Sequence, residues 1–138
     1  MNNYIQYYNL KAGDEIIVSK SGLNIVQHHA LYLGFDEQGT DWIIENAYGV
    51  GVRLVTAESF FKVNPHINEI RRFSGTNQER RQLVERALKK IGKPYNMIVY
   101  NCQHFTSEVK TGMKRSRQIE NAMASTFILL IISALLFD

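Results

Sequence analysis

The sequence predicts an α+β fold: a small antiparallel β-sheet packed against a long helix and a short cysteine-bearing helix, followed by a C-terminal hydrophobic helix. Three observations predict it. Short β-branched runs separated by turn residues fill the first half of the chain. A capping box at Thr76-Asn77-Gln78-Glu79 opens an apolar repeat of helical spacing. A second helix start, Asn101-Cys102, carries the chain's one cysteine.

The elements follow in order. Leu10-Lys11-Ala12-Gly13-Asp14 reads as a turn into a strand, Glu15 to Ser19, centred on Ile16-Ile17-Val18. Lys20-Ser21-Gly22-Leu23 is a second turn, and Val26 to Phe35 a second strand. Asp36 to Thr40 makes a hairpin loop before a third strand, Trp42 to Asn46. A glycine-rich bend, Tyr48 to Gly51, leads to a short fourth strand, Val52 to Val55. Thr56 to Phe61 has the pattern of a helical turn, and Ile67 to Phe73 that of a fifth strand. Consecutive hairpins of this kind build an antiparallel sheet. In the long helix Leu83, Val84, Ala87, Leu88 and Ile91 share a face, and Gly92 closes it. Its charges, Arg80, Arg81, Glu85, Arg86 and Lys89, fall on the face expected to meet solvent. The cysteine helix runs from Cys102 to Lys110 and is closed by Gly112.

Composition bounds the function. The chain has 138 residues, enough for one domain with a real core. A single cysteine excludes an intramolecular disulfide and a cysteine-rich zinc site, and points to a reducing compartment. Met1 to Leu10 is polar and tyrosine-rich, without the basic and apolar regions of a secretory signal, so the body is expected in the cytosol. The net charge of +3 is mild, and its surplus gathers at Lys110, Lys114, Arg115 and Arg117. No base-stacking aromatic motif goes with it, so the cluster reads as membrane-surface chemistry, not nucleic-acid binding.

The candidate chemistry sits in two stretches. A lone cysteine is most often a small buried hydrophobe. At a helix start, however, unpaired N–H groups and the positive end of the dipole favour the thiolate. Cys102 is therefore the candidate nucleophile. The second strand, His28-His29-Ala30-Leu31-Tyr32-Leu33-Gly34, alternates. His28, Ala30, Tyr32 and Gly34 share one face; His29, Leu31, Leu33 and Phe35 share the other. A histidine in an apolar strand needs a hydrogen-bond partner, and one imidazole beside one thiol is the minimum for nucleophilic catalysis. His104 is read as a packing or capping residue, and His66 as a loop residue.

Taken together, Leu10-Lys11-Ala12-Gly13-Asp14, the His28-to-Gly34 strand and Asn101-Cys102-Gln103-His104-Phe105 resemble the lecithin:retinol acyltransferase-like family. That family lies within the wider NlpC/P60 group of papain-like thiol enzymes. Gln103 stands where the family's cysteine box usually has Glu. The resemblance covers roughly residues 8 to 115. Histidine before cysteine is the order of the permuted members of the group. The resemblance implies that Cys102 is the nucleophile and His28 its general base. The third polar residue, often histidine in relatives, falls on the next strand, where register offers Glu45 or Asn46. Alternation lets only one of these point at His28. Glu45 is preferred, since a carboxylate would both orient and stabilise an imidazolium.

The last stretch is apolar. Ala122 to Phe137 holds no charge and would span about 24 Å as a helix. A bilayer core is about 30 Å thick. Preceded by Lys114, Arg115 and Arg117, it reads as an anchor, with burial in the core or in a dimer contact as the plain alternative. The expected organisation is thus a thiol acyltransferase/hydrolase domain over 1–118 and a hydrophobic tail over 119–138. The expected function is a membrane-associated thiol acyltransferase or phospholipase-like enzyme at the cytoplasmic face of a membrane. It would form an acyl-Cys102 intermediate from a phospholipid or other acyl ester, meeting the membrane through 110–137 and using no metal or organic cofactor. The alternatives are an NlpC/P60-type peptidase or amidase, and a catalytically weak binding module of the same fold.

Overall fold

The computed structural model describes residues 2–20, 26–97 and 100–112. Its elements are α1 (Asn3–Tyr7), β1 (Glu15–Ser19), β2 (Gln27–Phe35), β3 (Asp41–Ala47), β4 (Gly51–Thr56), α2 (Ala57–Val63), β5 (Ile67–Arg71), α3 (Asn77–Leu88) and α4 (Cys102–Thr111). The strands form one antiparallel sheet in the order β4-β3-β2-β1-β5.

The sheet is covered on both faces. Ile16, Val18, Ala30, Tyr32 and Ile43 point to one side, where Ile5 of α1 and Ala57, Phe60 and Phe61 of α2 meet them. Leu31, Ile44 and Val52 point to the other, where Leu83 and Ala87 of α3 and Phe105 and Val109 of α4 pack. This is why β1 reads as the unbroken run Ile16-Ile17-Val18: all three are buried. Alternation in β2 holds as far as Tyr32. The register with β3 then slips between Tyr32 and Gly34.

Three elements differ from expectation. The polar N-terminus forms α1, capped by Asn2 and held by Ile5 in the core; five residues with one fully apolar anchor give too little periodicity to detect. Helix α3 ends at Leu88, not at Gly92. The chain turns away there because Gly92 N–H donates to Val52 O at 2.8 Å and Lys93 O accepts from Val52 N–H at 2.9 Å. Pairing with the start of β4 replaces the last helical turn, and Leu88 and Ile91 are left exposed. Finally, Arg80 does not face solvent. Its guanidinium donates to Ala12 O and Phe73 O and pairs with buried Asp14, tying α3 to the turn before β1.

Among the described residues no helix is long and apolar enough to cross a membrane. The expected tail over 119–138, the cations Lys114, Arg115 and Arg117, and the turn residues Ser21 to Leu23 lie outside those residues.

Candidate active site

The site forms where the start of α4 meets the start of β2. Asn101 caps α4: its Oδ1 accepts from Gln103 N–H and His104 N–H, each at 3.0 Å. His104 Nδ1 accepts from Asn101 N–H at 3.2 Å, completing a reciprocal cap. His104 is thus a capping residue. The cap leaves Cys102 as the first helical residue, and its Sγ lies 3.8 Å from Gln27 O on β2.

His28 is the second residue of β2 and is buried. Ala30 pairs with Glu45 across the β2–β3 ladder, so Glu45 lies diagonally opposite His28 on the same face. The geometry follows: His28 Nε2 is 2.5 Å from Glu45 Oε2. Arg53, directly across the β3–β4 ladder from Glu45, grips its other oxygen, with Nε at 2.9 Å and Nη2 at 2.8 Å. Asn46 points to the opposite face and donates to Tyr100 O at 2.8 Å. It therefore joins the strand to the segment before Cys102 and does not meet His28.

Cys102, His28, Glu45 and Arg53 line one cavity of about 460 Å³, together with Lys20, Val26, Gln27, Ala47, Tyr48, Val50, Tyr95 and Met97. A larger groove of about 1300 Å³ runs between α1, the end of β2 and α3 and includes none of the four.

Burial governs the resting charges. It pushes the Cys102 thiol above its ordinary value, while the backbone N–H groups of His29, Gln103 and Cys102 pull the other way without prevailing. It likewise pushes the His28 imidazole below its ordinary value, against the pull of the Glu45 carboxylate. The Glu45 carboxyl lies below its ordinary value: burial raises it, but the contacts with His28 and Arg53 outweigh that. At neutral pH the site therefore rests as thiol, neutral imidazole and carboxylate. The helix start alone does not make the thiolate expected from sequence.

The other histidine builds a second network. His29 Nδ1 lies 2.7 Å from Glu15 Oε1, which also accepts from Thr106 Oγ1 at 2.9 Å. Glu15 Oε2 accepts from Lys110 Nζ at 2.9 Å. Burial raises the Glu15 carboxyl, but His29 and Lys110 pull harder and bring it down to about 2. This network straps α4 to β1 and β2 and so sets the height of Cys102 against the sheet.

A family model described as "Permuted papain-like amidase enzyme, YaeF/YiiX, C92 family" matches residues 9–109. The chain belongs to this family. The matched span runs from the turn before β1 through most of α4, and so includes the thiol, both histidine pairs and the sheet. Membership in this permuted papain-like amidase family carries the fold of a cysteine hydrolase, in which the histidine strand precedes the cysteine helix. The narrower resemblance to lecithin:retinol acyltransferase-like proteins is not part of that match. No curated protein matches the chain.

Arg53, Lys20, Tyr48 and Tyr95 were not singled out by sequence. Arg53 carries a usable signal: it sits on the strand after Glu45, at the position that a tight Tyr48–Gly51 bend places opposite it. Tyr95 carries none, because it reaches the cavity from a loop.

Proposed function

We propose that the protein is a cysteine acyl hydrolase of amidase type, with Cys102 as nucleophile, His28 as general base and Glu45 as the residue that orients His28. The observation that carries this reading is the 2.5 Å contact between His28 Nε2 and Glu45 Oε2 on the wall of the cavity that holds the Cys102 thiol. With Nε2 committed to a carboxylate, Nδ1 is the nitrogen left to exchange a proton.

Sγ of Cys102 attacks the acyl carbon as its proton passes to His28 Nδ1. Charge develops on the carbonyl oxygen, and Glu45 stabilises the imidazolium while staying ionised. The Gln103 and His104 N–H groups already serve Asn101 Oδ1, so the Cys102 N–H is the helix-start donor assigned to the oxyanion. Collapse breaks the acyl bond, and the leaving amine takes the proton from His28. Water then attacks the thioester, gives its proton to His28, and releases the carboxylic acid with the thiol restored. Because thiol and imidazole rest uncharged, deprotonation accompanies attack instead of preceding it.

A second reading, transfer or hydrolysis of a phospholipid acyl ester at the cytoplasmic face of a membrane, is favoured by the charge-free run Ala122 to Phe137 behind Lys114, Arg115 and Arg117. There 119–138 would be the anchor, and the lecithin:retinol acyltransferase-like resemblance would extend to function. The two are separated by offering the full chain N-decanoyl amides and phosphatidylcholine vesicles. Release of amine, lost in Cys102→Ala, supports the amidase. Lysolipid formation lost in the same variant supports the ester reading. Hydrolysis that persists in Cys102→Ala overturns both.

A further inference from the structure

We propose that the substrate of the Cys102 cavity is an amphiphile, with an apolar acyl group and an anionic group on its leaving side that pairs with Lys20. This rests on the hydrolase reading above and names the substrate class for it.

The cavity wall is unusual in two ways. Large apolar side chains normally leave water, yet four that line this cavity do not: Tyr48 is 79% exposed, Val50 60%, Met97 60% and Val26 51%. They form a hydrophobic rim beside a buried thiol, with Tyr48 set edge-on to Tyr95 at 5.5 Å between ring centres. An exposed apolar rim around a reactive cavity marks a surface that is covered when ligand is bound.

The charges give the second half. Glu45 is the carboxylate on the wall, and it is spent on His28 and Arg53. Arg53 is spent on Glu45 in return. Lys20 remains: among the described residues it forms no ion pair, and its positive charge helps to hold the His28 imidazole below its ordinary value. With neutral His28 and a protonated Cys102, the wall carries one uncompensated positive charge. A cation at the mouth of an apolar cleft selects an anion through complementarity and faster encounter. The anion is a carboxylate, as in an N-acyl amino acid, or a phosphate, as in an N-acyl phosphoethanolamine; both present the same charge to Lys20.

The test compares kcat/KM of the full chain for three amides: N-decanoylglycine, N-decanoyl-phosphoethanolamine and the neutral N-decanoylglycinamide. At least one anionic amide is expected to exceed the neutral one by about 10-fold at low salt, and which one does identifies the anion. That ratio should collapse towards 1 in Lys20→Met, invert in Lys20→Glu and survive in Lys20→Arg and in the distant control Lys62→Met. Raising the salt should shrink it. Turnover of all three at equal rates, or a ratio untouched by Lys20→Met and Lys20→Glu, overturns the anion assignment and leaves the hydrolase standing. Absence of turnover for all three, with no acyl adduct on Cys102, overturns the hydrolase reading and this one with it.

Discussion

The carboxylate of Glu45 meets the Nε2 atom of His28 at 2.5 Å, and the next residue along, Asn46, turns its amide to Tyr100 O on the other side of the sheet. One strand therefore orients the imidazole with one side chain and steadies the approach to Cys102 with the next.

This arrangement predicts that charge and reach at position 45 both matter. Glu45→Gln keeps the length but loses the carboxylate facing an imidazolium. Its kcat should fall by at least about 100-fold, in the direction of the roughly 10⁴-fold loss seen when an orienting carboxylate becomes an amide. KM should change little, because Glu45 acts through His28 and not on substrate. Steady-state kinetics on the variant check this; a rise in KM at constant kcat would contradict it.

The resting charges predict the pH profile. Burial holds His28 below its usual value and Cys102 above its own. The reactive form, neutral imidazole with protonated thiol, then spans a broad plateau. kcat/KM should climb through an acid limb below pH 6.5 and fall only above about pH 9. Alkylation of Cys102 by iodoacetamide should be slow at pH 6 and accelerate above pH 9. Fast labelling at pH 6 would mean a preformed thiolate–imidazolium pair.

Glu15 predicts an acid transition. Its folded pKa of about 2 lies below the unfolded value of about 4.5. A depressed carboxyl contributes stability that is present above the unfolded value and lost as pH falls towards the folded one. Stability should thus decline between about pH 4.5 and pH 2, with about 3 kcal/mol of the loss due to this group. Glu15→Gln should lose a comparable amount at pH 7 and flatten that slope. Denaturant titrations at pH 7, 4 and 2.5 measure both.

Gly51 predicts a coupling between the bend and the cavity. It has φ of +94°, and a Cβ there would stand 2.4 Å from Lys93 O. That carbonyl accepts from Val52 N–H and fixes the loop that carries Tyr95. Gly51→Ala should cost about 2 kcal/mol or more. It should also raise KM by displacing the Tyr95 wall. Thermal unfolding and kinetics on the same sample check the two effects.

Much of the fold was legible because its signals are local. Thr76 with Glu79, and Asn101 ahead of Cys102, mark helix starts through caps that depend on three or four residues. Strands β1 and β3 were legible through β-branched runs, and β2 through its alternation. Arg80 was misread because a charge at helical spacing looks solvated until the turn at Gly13-Asp14 is known to pack beside it. The end of α3 was misread because Gly92 pairs with Val52, forty residues earlier in the chain. Cys102 shows the same limit: the helix start is visible in sequence, but the burial that outweighs it is a product of the whole sheet.

The proposed hydrolysis depends on one step, acyl transfer to Cys102 with His28 as its base. Rapid acid quench of the full chain with N-decanoylglycine, followed by peptide mass spectrometry, tests it most directly. A decanoyl mass is expected on the Cys102 peptide of the wild type, strongly diminished in His28→Ala and absent in Cys102→Ala. Substrate hydrolysis with no acyl mass on Cys102, undiminished in Cys102→Ala, would contradict it.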